Sequence, residues 1–208
     1  MRNIYVVTHT QSKHHTNGLV GGWYDTGLTS FGKRQAQTIA KRLDGLILRP
    51  DISLVSSDLM RASETAKVIG DTIGISTVLM SGLRENSYGR ADGKEQNWLD
   101  ARMTTAPDHN RLDHVVVEGA ESKRTFVERI YTSMEALPET SDVIIVTHGY
   151  ALTFVIASWI GMRIEDAGYV NFRATPGGLT HLYEDDFFNN RAVRFINDVS
   201  HLPKHSRP

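Results

Sequence analysis

Ile4-Tyr5-Val6-Val7-Thr8-His9-Thr10-Gln11 is the stretch that decides how the chain is read. A compact, largely β-branched apolar run leads straight into an imidazole between two threonines. A short run without polar alternation suits a strand buried on both faces. The same grammar recurs downstream. Residues 52–55 and 143–146 read as further strands, and 77–80 as a short one. Between them lie helical patterns. Thr29 is placed to cap a helix whose Phe31, Ala36, Ile39, Ala40 and Leu43 share a face. Ser56-Ser57-Asp58 opens another, with Ala62, Thr65, Ala66 and Ile69 on its apolar side. Residues 121–137 and 149–160 read as two more, and 179–183 and 192–196 as closing strands. Loops are expected over the Gly-rich 17–27 and up to Pro50, and a loose tail over 202–208. Residues 84–118 are polar, carry Gly89, Gly93 and Pro107, and keep no periodicity, so they read as a cap-like insertion. Strand–helix alternation predicts an α/β fold: one domain over 1–208, a three-layer sandwich with a mostly parallel central sheet flanked by helices.

The 208 residues are 40% apolar and 23% charged, ordinary for a globular domain. Lys and Arg number 23 against 24 Asp and Glu, so the net charge is −1. That balance leaves no footprint for nucleic acid or an anionic membrane. There is no Cys, which excludes disulfides, Cys-ligated metals and thiolate nucleophiles. The apolar run 4–7 is too short for a signal-peptide core, and 151–160 is half a membrane span, so the expected location is the cytoplasm.

In open α/β sheets ligands gather beyond the carboxyl ends of the strands. Four strand ends carry candidate chemistry: Thr8-His9-Thr10, Ser57-Asp58 leading to Arg61, Leu83-Arg84-Glu85, and Thr147-His148-Gly149. Each alone is ordinary. A histidine after a strand is usually a satisfied structural residue, and an arginine in a first helical turn is usually solvated. Two imidazoles, a guanidinium and a carboxylate converging on one crevice suit phosphoryl transfer. A neutral imidazole can attack phosphorus, and a guanidinium grips two oxygens at once. Helix N-termini at Arg61 and Gly149 favour anions, and a carboxyl group can shuttle the proton.

These residues, with Gly22-Trp23, Asp25, Leu28-Thr29, Glu64, Gly89, Glu118-Gly119, Glu121-Ser122, Asn197-Asp198 and His201-Leu202, resemble the histidine phosphatase superfamily, in its phosphoglycerate mutase-like branch. The resemblance spans residues 4–202. It implies His9 as the phosphorylated nucleophile, Arg61 and His148 as holders of phosphoryl oxygens, and Glu85 as proton donor. It also implies substrate contacts at Thr8, Thr10, His15, Gly22 and Arg84, with no cofactor and no metal. The expected partner is a small phosphorylated substrate, with a homodimer left open.

One motif departs from the family. Its Arg-His-Gly is here Thr8-His9-Thr10, and Gln11 stands where Glu is common. A hydroxyl cannot neutralise phosphoryl charge, and losing one preorganised stabiliser costs about 3–4 kcal/mol. Lys13 or a protonated His15 is a candidate substitute. The expected function is phosphomonoester hydrolysis. The alternatives are a mutase-type phosphotransferase and an impaired pseudophosphatase that binds a phosphorylated ligand or a protein partner. A metal enzyme is disfavoured because the histidines lack zinc-site spacing. Serine-hydrolase and P-loop motifs do not occur.

Overall fold

The computed structural model describes residues 2–47, 51–140 and 142–203. Pro50 and most of the expected tail lie outside them. Six strands form one sheet: β1 (Arg2–Thr8), β2 (Ile52–Ser56), β3 (Thr77–Leu79), β4 (Asp142–Thr147), β5 (Leu179–Glu184) and β6 (Arg191–Asp198). Their order is β3-β2-β4-β1-β5-β6. The first four run parallel, while β5 and β6 pair antiparallel onto the edge next to β1. The main helices are α1 (Lys13–Asn17), α2 (Ser30–Asp44), α3 (Met60–Ile73), α4 (Gln96–Asp100), α5 (Lys123–Glu135) and α6 (Ala151–Trp159).

The two-residue period of the strands sorts the core into two halves. Tyr5, Val7, Ile144 and Val146 face Ile39, Leu43, Ala62 and Ile69 of α2 and α3. Ile4, Val6, Val143 and Ile145 face Phe126, Ile130, Phe154 and Val155 of α5 and α6. This is the three-layer sandwich that the alternation predicts. The helix ends follow their caps. Thr29 Oγ1 accepts from Gly32 N at 2.9 Å, and Ser122 Oγ from Thr125 N at 3.2 Å. Helix α5 therefore starts after Ser122 rather than at Glu121. Met60 N, at the start of α3, donates instead to Asp25 Oδ1 in a distant loop at 2.6 Å. Among the described residues no helix is long and apolar enough to cross a membrane.

Two features escaped the sequence reading. Helix α1 occupies a stretch in which the sequence reading expects no element. Five residues are too few to nucleate a helix alone, but Ser12 caps this one and Gly18 closes it in the left-handed region at φ 64°. Residues 84–118 are more ordered than their composition suggests. They hold α4 and a small core of Val20, Ala91 and Leu99, with Tyr88, Trp98 and Val117 packed against it. Gly89 closes this segment on itself: at φ 53°, an added Cβ would lie 2.1 Å from the Gly119 backbone.

Candidate active site

The carboxyl ends of β1, β2 and β4 open onto a crevice of about 240 Å³. Thr8, His9, His14, His15, Gly22, Arg61, Glu85, Tyr88, Gly149 and Tyr150 line it, with Gly21, Ala174 and Pro176. His9 follows β1, and its backbone stays tied to the sheet through His9 N to Thr147 O at 2.8 Å. Its Nδ1 lies 2.9 Å from Thr10 O. A carbonyl can only accept, so the ring proton sits on Nδ1 and Nε2 keeps its lone pair. Arg61 Nε donates to that lone pair at 3.2 Å. Burial first, then Arg61, hold His9 well below the usual imidazole range, so it stays neutral at pH 7.

Arg61 reaches the crevice from the first turn of α3 and is 1% exposed. Its other nitrogens donate to Tyr24 O at 3.0 Å and Gly22 O at 2.6 Å. Among the described residues no carboxylate lies within ion-pairing distance of it. A buried cation held only by neutral acceptors is costly unless an anion joins it.

His148, after β4, sets its ring edge against His9 with centroids 5.0 Å apart. Its Nε2 bonds Ser57 Oγ at 2.8 Å, while Nδ1 is buried without a hydrogen-bond partner among the described residues. Burial, then Arg61, keep it neutral as well. Thr8 Oγ1 is likewise buried and unpartnered. Two polar atoms without partners among the described residues thus share the site with a guanidinium that has no ion pair, a set that an anion's oxygens could satisfy.

Glu85 stands on the facing loop. Its carboxylate accepts from Asn86 N at 2.9 Å and Tyr150 N at 3.0 Å. Burial outweighs these bonds and raises its pKa. The loop itself is held by its carbonyls. Arg129 of α5 donates to Gly82 O, Arg84 O and Glu85 O, and pairs in two-pronged fashion with Glu121 at 2.7 and 2.8 Å. Trp23 Nε1 donates to Glu85 O at 2.8 Å.

A family model described as the histidine phosphatase superfamily (branch 1) matches residues 4–197. The chain belongs to this superfamily. A probable phosphoglycerate mutase, GpmB, of Erwinia tasmaniensis is 26% identical, the match covering 97% of this chain and 95% of that relative. The alpha-ribazole phosphatase of Shigella flexneri superposes with a TM-score of 0.78 at 24% identity, covering 94% of this chain and 96% of that one. A mycobacterial glucosyl-3-phosphoglycerate phosphatase in complex with VO3 superposes with a TM-score of 0.76 at 24% identity, covering 95% and 99%. The phosphoglycerate mutase-like architecture read from the motifs is thus the architecture of the chain.

Within this histidine phosphatase fold, seven of the expected site residues meet in or beside the crevice: Thr8, His9, His15, Gly22, Arg61, Glu85 and His148. Two do not. Thr10 turns away: its hydroxyl and its N–H each lie 3.3 Å from Thr65 Oγ1, which itself donates to Arg61 O. A fully buried hydroxyl takes the nearest partner, and that partner is beneath the crevice. Arg84 forks onto Asp58 at 2.7 and 2.6 Å and lies over the Trp23 ring. Its guanidinium is committed outside the lining.

The expected cationic substitutes also need correction. Lys13 is exposed on α1 and is absent from the lining. His15 lines the crevice, but burial and Arg61 pull it down to about 4, so it is not protonated at pH 7. His14, passed over as a site residue, lines the crevice and is 7% exposed. A histidine doublet in a loop carries no sequence signal for this, because the burial depends on α1 folding. Tyr88, Tyr150 and Arg129 were missed for the same kind of reason: each arrives from a segment distant in sequence. Among the described residues no group of three or more His, Asp or Glu is arranged to hold a metal ion.

Proposed function

We propose that this chain is a phosphomonoester hydrolase working through a phosphohistidine on His9, with a small phosphorylated metabolite as substrate. The observation that carries the reading is the meeting of His9 Nε2 with Arg61. A neutral, correctly tautomerised nucleophile sits against a buried cation that, among the described residues, has no carboxylate at ion-pairing distance. A phosphoryl group satisfies both at once, taking the guanidinium onto its oxygens and freeing the lone pair.

The reaction then runs in two steps. Nε2 attacks phosphorus and the ester P–O bond breaks, with the departing alkoxide taking the proton of the Glu85 carboxyl group. Its raised pKa suits Glu85 to hold that proton. Glu85, now a carboxylate, removes a proton from water. The resulting hydroxide attacks phosphorus, the P–N bond breaks, and inorganic phosphate leaves with His9 restored. Arg61, His148 Nδ1 and the Thr8 hydroxyl would receive the equatorial oxygens. Residues 84–118 would cover the crevice, a role supported by Tyr88 in its lining and by the packing of Ala91 and Leu99 on Val20.

The relatives' names fit this chemistry, since they include phosphatases of small phosphorylated molecules and a mutase that moves phosphoryl groups. The test is phosphate release from a phosphomonoester panel, with acid-labile phosphate trapped on the protein after a rapid quench. Turnover and label are both expected, and His9→Ala should lose both by about 10⁴-fold or more. Full turnover in His9→Ala would remove the reading.

One observation favours a second reading. The polar group beside the nucleophile is the neutral Thr8, so the crevice has a single fixed cation. A pseudophosphatase that binds phosphorylated ligands without cleaving them would show anion binding with neither label nor turnover. Thr8→Arg would then switch activity on.

A further inference from the structure

We propose that His14 and His15 form a proton-loaded clamp: when a phosphoryl dianion occupies the crevice, the pair takes up one proton from solvent and supplies the second positive charge beside Arg61. This rests on the crevice being an anion site, as the proposed function requires.

The geometry begins at Ser12. Its N–H donates to His15 Nδ1 at 3.3 Å. That nitrogen is therefore an acceptor, and the neutral His15 carries its proton on Nε2. Ser12 Oγ lies 2.8 Å from His14 Nδ1 and 3.3 Å from His15 Nδ1. The single proton of the Ser12 hydroxyl can serve either ring; once His14 is protonated, its Nδ1–H donates to Ser12 Oγ and Ser12 Oγ–H donates to His15 Nδ1, and the second proton of the imidazolium lies on His14 Nε2. That atom faces Gly21, also in the lining: an added Cβ there would lie 2.7 Å from it. The protonated ring thus presents an Nε2–H donor at the crevice wall and keeps its contact with Ser12.

The surroundings decide when this happens. The rings of His14 and His15 are 4.1 Å apart, so one charge is tolerated and two are not. His15 stacks on His9 at 5.4 Å, and His14 is 6.0 Å from it. The charged and titratable groups facing the pair are His9 from β1, Arg61 from α3, Glu85 and Tyr88 from the covering loop, and His148 and Tyr150 after β4. Lys13 shares the short helix but is exposed. Arg61 is the fixed cation in the lining, and it opposes protonation. Burial, His15 and Arg61 hold His14 down to about 3, and burial and Arg61 hold His15 to about 4. A dianion at the same wall reverses the sign of the local field. Protons bound only in the liganded state make anion affinity rise as pH falls.

The probe is inorganic sulfate, which stays a dianion over the working range, so any proton taken up is the protein's. Sulfate binding to the full chain is measured by calorimetry at pH 7 in buffers of differing ionisation heat, and its affinity is followed from about pH 5.5 to 7.5. About one proton should be absorbed per sulfate, with affinity falling up to about tenfold per pH unit of rise. His14→Asn should abolish the uptake and flatten the profile, and Thr8→Arg should flatten it while strengthening binding. Affinity independent of pH in the unaltered protein overturns the clamp. Uptake that persists in both His14→Asn and His15→Asn, or that disappears only in Glu85→Gln, also overturns it, because the proton is then held elsewhere. Sulfate binding lost in Arg61→Ala places the ion in the crevice. No sulfate binding in the unaltered protein, or binding that Arg61→Ala leaves intact, sinks the anion-site reading together with the clamp.

Discussion

Arg61 lines the crevice and Arg129 braces the loop that carries Glu85, and both are largely withdrawn from water. Arg129 spends every N–H it has: two on Glu121, three on the carbonyls of residues 82, 84 and 85. Its charge is matched by a carboxylate that is 12% exposed in its side chain. Arg61 makes three hydrogen bonds, all to neutral acceptors, one of them the lone pair of His9 Nε2. A matched buried ion holds structure in place. An unmatched one is stabilised by any anion that reaches it. Burial alone does not separate the two roles; what the guanidinium touches does.

The sharpest way to break that contrast is Arg129→Ala. It leaves the Glu121 carboxylate without its counter-charge and takes the Arg129 donor from the carbonyls of Gly82 and Arg84, and removing one partner of a buried pair costs about 3–5 kcal/mol. The urea midpoint should fall accordingly, with turnover falling too as the Glu85 loop loosens. A loss below about 1 kcal/mol would mean that Arg129 is not the clamp of that loop.

Arg61→Ala should act the other way round. Phosphate release should drop about a hundred- to a thousandfold, as expected for a lost charge stabiliser. Stability should fall by only about 1–3 kcal/mol, from the carbonyls of Gly22 and Tyr24 left without a donor. Equal losses of stability for the two alanine variants, measured in the same urea titration, would erase the distinction.

The imidazoles near Arg61 extend the contrast into pH. His9 and His148 are held well below the usual range by burial and then Arg61, and His14 is held at about 3. His181, remote from the crevice and bonded to Asn3, is pulled down to about 4, mainly by burial. In the unfolded chain each protonates near pH 6.5, while the folded chain refuses the proton until much lower pH. Their stabilisation is therefore complete above about 6.5 and is lost as pH falls toward the folded values. The slope reaches about 1.4 kcal/mol per pH unit for each buried ring. Thermal unfolding followed from pH 7 to 4 should show this loss, and sulfate should soften it. A melting temperature that is flat over that range would show that these rings protonate as easily folded as unfolded.

Much of this was legible in the sequence, for reasons that are local. Residues 4–7 and 143–146 are strands because continuous β-branched runs have few other fates, and their parity fixes which side chains meet which helix layer. His9, Arg61, Glu85 and His148 were legible because each follows a strand end. What stayed hidden depends on long-range partners. The Arg129 network joins α5 to a loop 44–47 residues earlier. The burial of His14 waits on a helix too short to be read. Thr10 sits one residue past His9, and only the position of Thr65 decides that its hydroxyl points away.

Arg84 completes the series as the smallest effect. It carries the same two-pronged carboxylate contact as Arg129, here to Asp58, but the two side chains are 28% and 26% exposed. Water competes for both charges, so the pair is worth less than a buried one. The Asp58 carboxyl group is held below its usual range by that hydrogen bond, opposed by partial burial. The guanidinium also lies 4.8 Å over the Trp23 ring, whose indole N–H supports the Glu85 carbonyl. Arg84→Ala should therefore cost no more than about 1 kcal/mol of stability, and it should change KM and kcat only severalfold. Arg84→Lys, which keeps charge but loses the fork, should fall between. If Arg84→Ala instead cost as much activity as Arg61→Ala, its guanidinium would have to leave Asp58 for the substrate, and contact geometry would no longer tell an arginine without an ion pair from the paired ones.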